Sequence, residues 1–149
     1  MQGDQIEYAL HSRTGGQFRG VYACDRLPLN LPHRRPLIII ANTDPSDRQG
    51  EHWVLIRLGP NRTGEFFDSL GQPPKPIFRR YMDRFCTRWI SNVDQQLQSI
   101  ISYYCGHYVI FYALFSSIGY SMHEILSSFT SDNSLNDHIV HSFVCRNIL

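Results

Sequence analysis

Trp53-Val54-Leu55-Ile56-Arg57-Leu58, then Gly59-Pro60-Asn61-Arg62-Thr63-Gly64, then Glu65-Phe66-Phe67-Asp68 is the stretch that decides the fold. The first run has the length and the β-branched character of a strand, the second is a cluster of turn formers, and the third is a second apolar run. Together they read as an antiparallel pair. The consequence is positional: His52, at the head of the first strand, and Asp68, at the end of its neighbour, are placed where their side chains can meet.

Working outward, Pro36-Leu37-Ile38-Ile39-Ile40-Ala41 is a further β-branched run and reads as a buried strand. Downstream, Pro73, Pro74 and Pro76 open an amphipathic helix in which Ile77, Tyr81, Phe85 and Trp89 recur every four residues. Leu97-Gln98 reads as a short strand, and the apolar run from Cys105 to Ser117 as a buried helix. Ser121 and Glu124 have capping-box spacing for a short helix, and Leu135, Ile139, Phe143 and Val144 form the apolar stripe of a last one. The expected class is α+β, with a mixed or antiparallel central sheet packed between helices. Its 149 residues, 42% hydrophobic and 13% aromatic, suit one domain spanning 1–149.

Chemistry-bearing residues fall at the ends of these elements. A thiol is a modest nucleophile until a base or dipole lowers its pKa, and Cys105 at the head of a helix has a dipole behind it. His52 supplies the base. An imidazole must be held in one tautomer, which a carboxylate on its other nitrogen achieves, and Asp68 fits that role. Attack on a carbonyl creates an oxyanion that a side-chain amide can bind, and Gln98 lies seven residues before Cys105. Each residue alone has an ordinary reading: free cysteines such as Cys24, Cys86 and Cys145 usually pack as small hydrophobes, and Asp-Ser-Leu-Gly is usually a turn. The combination, in the order His, acid, Gln, Cys, points to a thiol peptidase.

Those residues carry a resemblance. With Gly20-Val21-Tyr22, Arg26, Pro28, Ala41-Asn42-Thr43, Gly50, His52-Trp53, Gln98, Ser102 and Cys105-Gly106, the chain resembles the adenovirus-type endopeptidases, the adenains, of the clan that also holds SUMO- and ubiquitin-like-protein proteases. Its length suggests the compact form found in adintoviruses and Polinton or Maverick elements. Asp68 stands where adenain carries Glu, as in the SUMO-protease branch, and the segment from Ser99 to Tyr104 lacks the Gly or Pro often found there. The resemblance implies a cysteine endopeptidase that cleaves viral or virus-like structural precursors at Gly-containing sites. It assigns catalysis to His52, Asp68, Cys105 and Gln98, and substrate contact to Trp53, Asn42 and Gly106. Trp53 reads equally as core filler or as the wall of a narrow substrate tunnel that admits only small P1 and P2 residues. Alternatives are processing of a Gly-Gly tail, as a deubiquitinase or deSUMOylase does, and a non-catalytic binding module of the same fold.

Adenain is stimulated by a disulfide-linked peptide and by DNA, so the resemblance also raises an activator peptide linked at Cys86, which is nineteen residues before Cys105 and one residue off the corresponding spacing. Packing of Cys86 on its own helix is the competing reading. The net charge of +1, from 14 basic and 13 acidic residues, argues against strong counterion-driven binding to nucleic acid. A local patch of Arg34, Arg35, Lys75, Arg79, Arg80, Arg84 and Arg88 is available, with Arg80, Arg84 and Arg88 on one helix face. The chemistry requires no metal. His138, His141 and Cys145 share i, i+3 and i+7 spacing on the last helix, without an evident fourth ligand. Polypeptide substrates, a monomer, no membrane association, reduced cysteines, and a place in the virion and the host nucleus or cytoplasm rather than secretion complete the expectations.

Overall fold

The computed structural model describes residues 1–50 and 52–149. Among them, five strands form one mixed sheet in the order β1-β2-β3-β4-β5: β1 (Phe18–Ala23), β2 (Leu37–Asn42), β3 (Trp53–Leu58), β4 (Thr63–Phe67) and β5 (Arg88–Ser91). The decisive pair forms as read. β3 and β4 are antiparallel, with Leu55 opposite Phe67 and Leu58 opposite Gly64. The turn between them includes the 3₁₀ segment Pro60–Arg62, where Asn61 at φ 56° adopts the left-handed conformation that Asn tolerates better than most residues. β2 is antiparallel to β3, while the edge strands β1 and β5 run parallel to their neighbours.

Alternation along the central strands sends residues to both faces, and both faces are covered. Ile38, Ile40, Leu55 and Phe67 join a core with Ile6, Ala9 and Leu10 of α1 (Gly3–Leu10) and with Tyr108, Val109 and Tyr112 of α3 (Cys105–Ser117). Residues of α4 (Met122–Ser127) and α5 (Asn133–Asn147) complete that layer. Leu37, Ile39, Ile56 and Phe66 pack oppositely, against Phe78, Tyr81 and Met82 of α2 (Pro76–Phe85). This dual covering explains why β2 is buried along its whole length and reads as a continuous apolar run. The expected class, α+β with the sheet between helices, is the observed one.

Several expectations need correction. Trp89 is not on α2: the helix ends at Phe85 and Cys86 turns extended, so Trp89 belongs to β5 and pairs with Gly64. Its indole N–H donates to Asp83 Oδ1 at 2.9 Å, which ties the new strand back to the helix. Arg80 and Arg84 therefore share α2, but Arg88 lies on a strand. Leu97-Gln98 is not a strand; both backbone N–H groups donate to one acceptor, Ser69 O, at 2.9 and 3.0 Å. The buried face of α5 is offset from the expected stripe: Leu135 is 45% exposed, whereas Asn136, Asp137, Val140 and Val144 are buried. The polar pair is tolerated because Asn136 Nδ2 donates to Leu97 O and Tyr108 Oη donates to Asp137 Oδ1. α1, β1 and β5 had no periodic signal strong enough to announce them. The capping box of α4 is as expected, with Ser121 and Glu124 exchanging side-chain-to-backbone hydrogen bonds at 3.1 Å in both directions.

Candidate active site

The β3–β4 pairing delivers its two polar ends to one place. His52 precedes β3, Asp68 follows β4, and His52 Nε2 lies 2.6 Å from Asp68 Oδ1. Asp68 is buried, and the same Oδ1 accepts the Leu70 N–H at 2.8 Å, so a local Asx turn holds the carboxylate while it holds the histidine. Asn92 fixes the backbone beneath it, accepting the Asp68 N–H at 2.8 Å and donating to Asp68 O at 2.6 Å. Gly71, at φ +66°, closes this turn, and a Cβ there would come within 2.8 Å of the Gln95 carbonyl carbon. Here glycine is required for both space and conformation.

Cys105 is the first residue of α3, 9% exposed, at the positive end of a thirteen-residue helix. With Nε2 engaged by Asp68, the other ring nitrogen of His52 is left for the thiol, and the two side chains are close enough to shift each other's pKa. Burial pushes the Cys105 thiol up, but His52 and the backbone N–H groups of Trp53 and Gly106 together outweigh it and hold the thiol below its ordinary value. Burial pulls His52 down, yet Asp68 and Cys105 raise its pKa from 6.5 to about 9. The opposed shifts favour a thiolate–imidazolium pair.

Gln98 is buried, and its amide is oriented at both ends. Ser69 Oγ donates to Gln98 Oε1 at 2.6 Å and Gln98 Nε2 donates to Ser102 O at 3.1 Å, leaving the second amide hydrogen available. His52, Gln98 and Cys105 all line one cleft of about 740 Å³. Ser69 and Asn92 escaped the sequence reading as parts of the site. Ser69 stood inside the Asp-Ser-Leu-Gly turn, but nothing in the order of residues links it to Gln98, and Asn92 carried no signal at all.

The remaining candidates are placed as follows. Trp53 is half-buried, lines the cleft and donates its indole N–H to Met1 O at 3.1 Å, so it packs and forms cleft wall at once. Asn42 also lines the cleft, and its Oδ1 accepts the Asp44 N–H at 2.9 Å, bracing the loop after β2. Gly106 is buried under the Met1 side chain, which a Cβ would meet at 2.9 Å. Cys86 is buried in the core layer under α2, on the other side of the sheet from α3, and burial pushes its thiol up. His141 and Cys145 come together, but with His107 of α3 rather than with the exposed His138. All four cysteines are free. No helix among the described residues is long and apolar enough to cross a membrane.

Solved structures share this architecture, which defines the class: the chain has the α+β fold of SUMO-protease-like cysteine proteases. Two crystal structures of the ASFV pS273R protease superpose with TM-scores of 0.67 and 0.56, at 16% and 23% identity, over 94% and 71% of this chain. ChlaDub1 from Chlamydia trachomatis superposes with a TM-score of 0.55 at 14% identity, over 74% of this chain. The chain spans 66% and 43% of the two pS273R chains and 58% of ChlaDub1. No protein-family profile and no curated protein matches the sequence.

Proposed function

We propose that the protein is a cysteine endopeptidase. The observation that carries this reading is that the 2.6 Å His52–Asp68 bond, Gln98 and Cys105, first residue of α3, converge on one cleft. In the first half-reaction the Cys105 thiolate attacks the scissile carbonyl carbon, and the carbonyl π electrons move to oxygen, which accepts hydrogen bonds from the Cys105 backbone N–H and Gln98 Nε2. Collapse of the intermediate breaks the C–N bond, and the His52 imidazolium protonates the departing amine. Water, deprotonated by the now neutral His52, then attacks the thioester carbonyl; the C–S bond breaks, the new C-terminal carboxylic acid leaves, and the Cys105 thiolate and His52 imidazolium are restored. Asp68 holds the imidazole in the required tautomer.

The substrates of this reading are polypeptides, cleaved beside glycine in structural precursors of a virus or virus-like element. Trp53 supports the small-residue preference, because an aromatic wall beside the nucleophile excludes bulky P1 and P2 side chains. The direct test is cleavage of a peptide library centred on glycine by the reduced protein. The reading requires cleavage next to Gly, and a folded, reduced protein that cleaves nothing in the library would overturn it. A preference for chains ending in Gly-Gly over internal glycine would assign the tail-processing activity instead.

Gln98→Ala is expected to lower turnover by about 10²-fold or more with little change in KM, since an oxyanion donor acts in the transition state. A rate within threefold of wild type would remove Gln98 from the chemistry.

Inactivation by iodoacetamide should show the pairing of charges directly. Thiolate forms as pH rises through the depressed Cys105 value, and the imidazolium that leaving-group protonation needs is lost as pH rises through about 9. Alkylation should therefore be fast already at neutral pH, and the peptide-cleavage profile should fall on its alkaline side near pH 9. A thiol that is alkylated only above its ordinary pKa would contradict the pair.

A further inference from the structure

Away from the cleft, α3 and α5 bring three soft or borderline ligands together. His107 lies two residues after the nucleophile and points to the opposite side of the helix, toward α5. His141 and Cys145 are one turn apart on α5, with Nε2 and Sγ separated by 3.5 Å. One ligand atom from each of His107, His141 and Cys145 lies within 4.8 Å of the others. His107 Nδ1 is buried with no hydrogen-bond partner among the described residues, an omission that native structures rarely leave unanswered. Tyr104 packs against both imidazoles, with ring centroids 5.1 and 5.0 Å away, and so restricts their orientations.

We propose that His107, His141 and Cys145 form a binding site for one divalent transition-metal ion of the zinc type, which clamps the first turn of α3 to the C-terminal half of α5. Tetrahedral zinc, with bonds of about 2.0–2.1 Å to nitrogen and about 2.3 Å to sulfur, places its ligands roughly 3.3–3.6 Å apart. The His141–Cys145 pair already has that separation. His107 closes on it by a movement of the order of 1 Å, within reach of side-chain torsions. Two imidazoles and a thiolate suit zinc, and also cobalt as its spectroscopic substitute, over magnesium or calcium. Three protein ligands leave the fourth position to water or an exogenous ligand. Since Cys105 and His107 share one helical turn, the ion would steady the turn that presents the nucleophile.

The test is a Co²⁺ titration of the reduced full chain in a Cys105→Ala background, so that the cleft thiol cannot contribute. The proposal requires one equivalent to bind with a thiolate-to-cobalt charge-transfer band that Zn²⁺ displaces. It also requires Zn²⁺ to raise the melting temperature. Both signals should vanish in Cys145→Ser, and affinity should fall about tenfold or more in His141→Ala. His138→Ala should change neither. These positions are half-buried or exposed on α5, so the variants keep their fold even if His107→Ala does not. A folded protein with no band in excess Co²⁺, a band that persists in Cys145→Ser, or equal loss in His138→Ala would each overturn the assignment.

Discussion

Replacing Cys105 by alanine is expected to remove peptide cleavage, by about 10⁶-fold in turnover if the nucleophile behaves as those of other acyl-transfer enzymes do. The protein should stay folded. Alanine is the best helix former and the substitution removes only one atom, at a position 9% exposed at the mouth of the cleft. The variant should also lose the rapidly formed adduct at position 105, read by mass mapping so that the exposed Cys145 is counted apart, while Cys24 and Cys86 are buried with pKa values pushed up by burial. Turnover measured beside a thermal melt separates the two effects. Cleavage within tenfold of wild type would mean that a different group does the chemistry.

Asp68→Asn should cost about 10⁴-fold in turnover, the scale on which loss of the orienting carboxylate acts in an acyl-transfer triad. Two consequences of the geometry combine. An amide that turns its NH₂ toward His52 Nε2 leaves that nitrogen unprotonated, so the proton moves to the side facing Cys105 and the base is lost. The imidazolium also loses the carboxylate that helps raise it to about 9, so the alkaline limb of the cleavage profile should move toward neutral pH. The Leu70 N–H, which shares Oδ1 with His52, loses its acceptor when the NH₂ takes that position, but the rest of the backbone cradle should survive because Asn92 continues to bind the main chain at residue 68. A rate close to wild type, or an unmoved alkaline limb, would show that Asp68 does not orient His52.

Much of this site was legible because its members sit at the ends of elements with strong local signals. The β3 and β4 runs and the turn between them fix where His52 and Asp68 lie, since antiparallel pairing across a short turn leaves little choice of register. The Cys105 helix was legible for the same kind of reason: a run of thirteen residues, apolar or small apart from His107 and mostly buried, needs no periodicity to be recognised. The edge strands were not legible. β1 and β5 are half-exposed, with only Gly20 buried on β1 and no residue fully buried on β5, so neither carries an alternating apolar signal. Trp89 at a four-residue interval after Phe85 therefore looked like one more turn of α2. The chain instead turns extended at Cys86, where Thr87 N–H donates to Arg62 O at 2.8 Å and begins the pairing with β4.

By itself, then, the order of residues determined the central antiparallel pair, the Cys105 helix and the His-acid-Gln-Cys set, because each depends on neighbours close along the chain or on residue chemistry. Tertiary structure alone decided what holds that set in position. Ser69 reaches Gln98 across 29 residues and Asn92 reaches Asp68 across 24, through hydrogen bonds between loops whose paths depend on how the sheet is covered. It also decided which histidine joins His141 and Cys145. Helical spacing offered His138, but that side chain faces outward, whereas packing of α3 on α5 brings His107 from 34 positions away along the chain. Contacts between distant segments are selected by burial of the whole core, and no local pattern of residues encodes them.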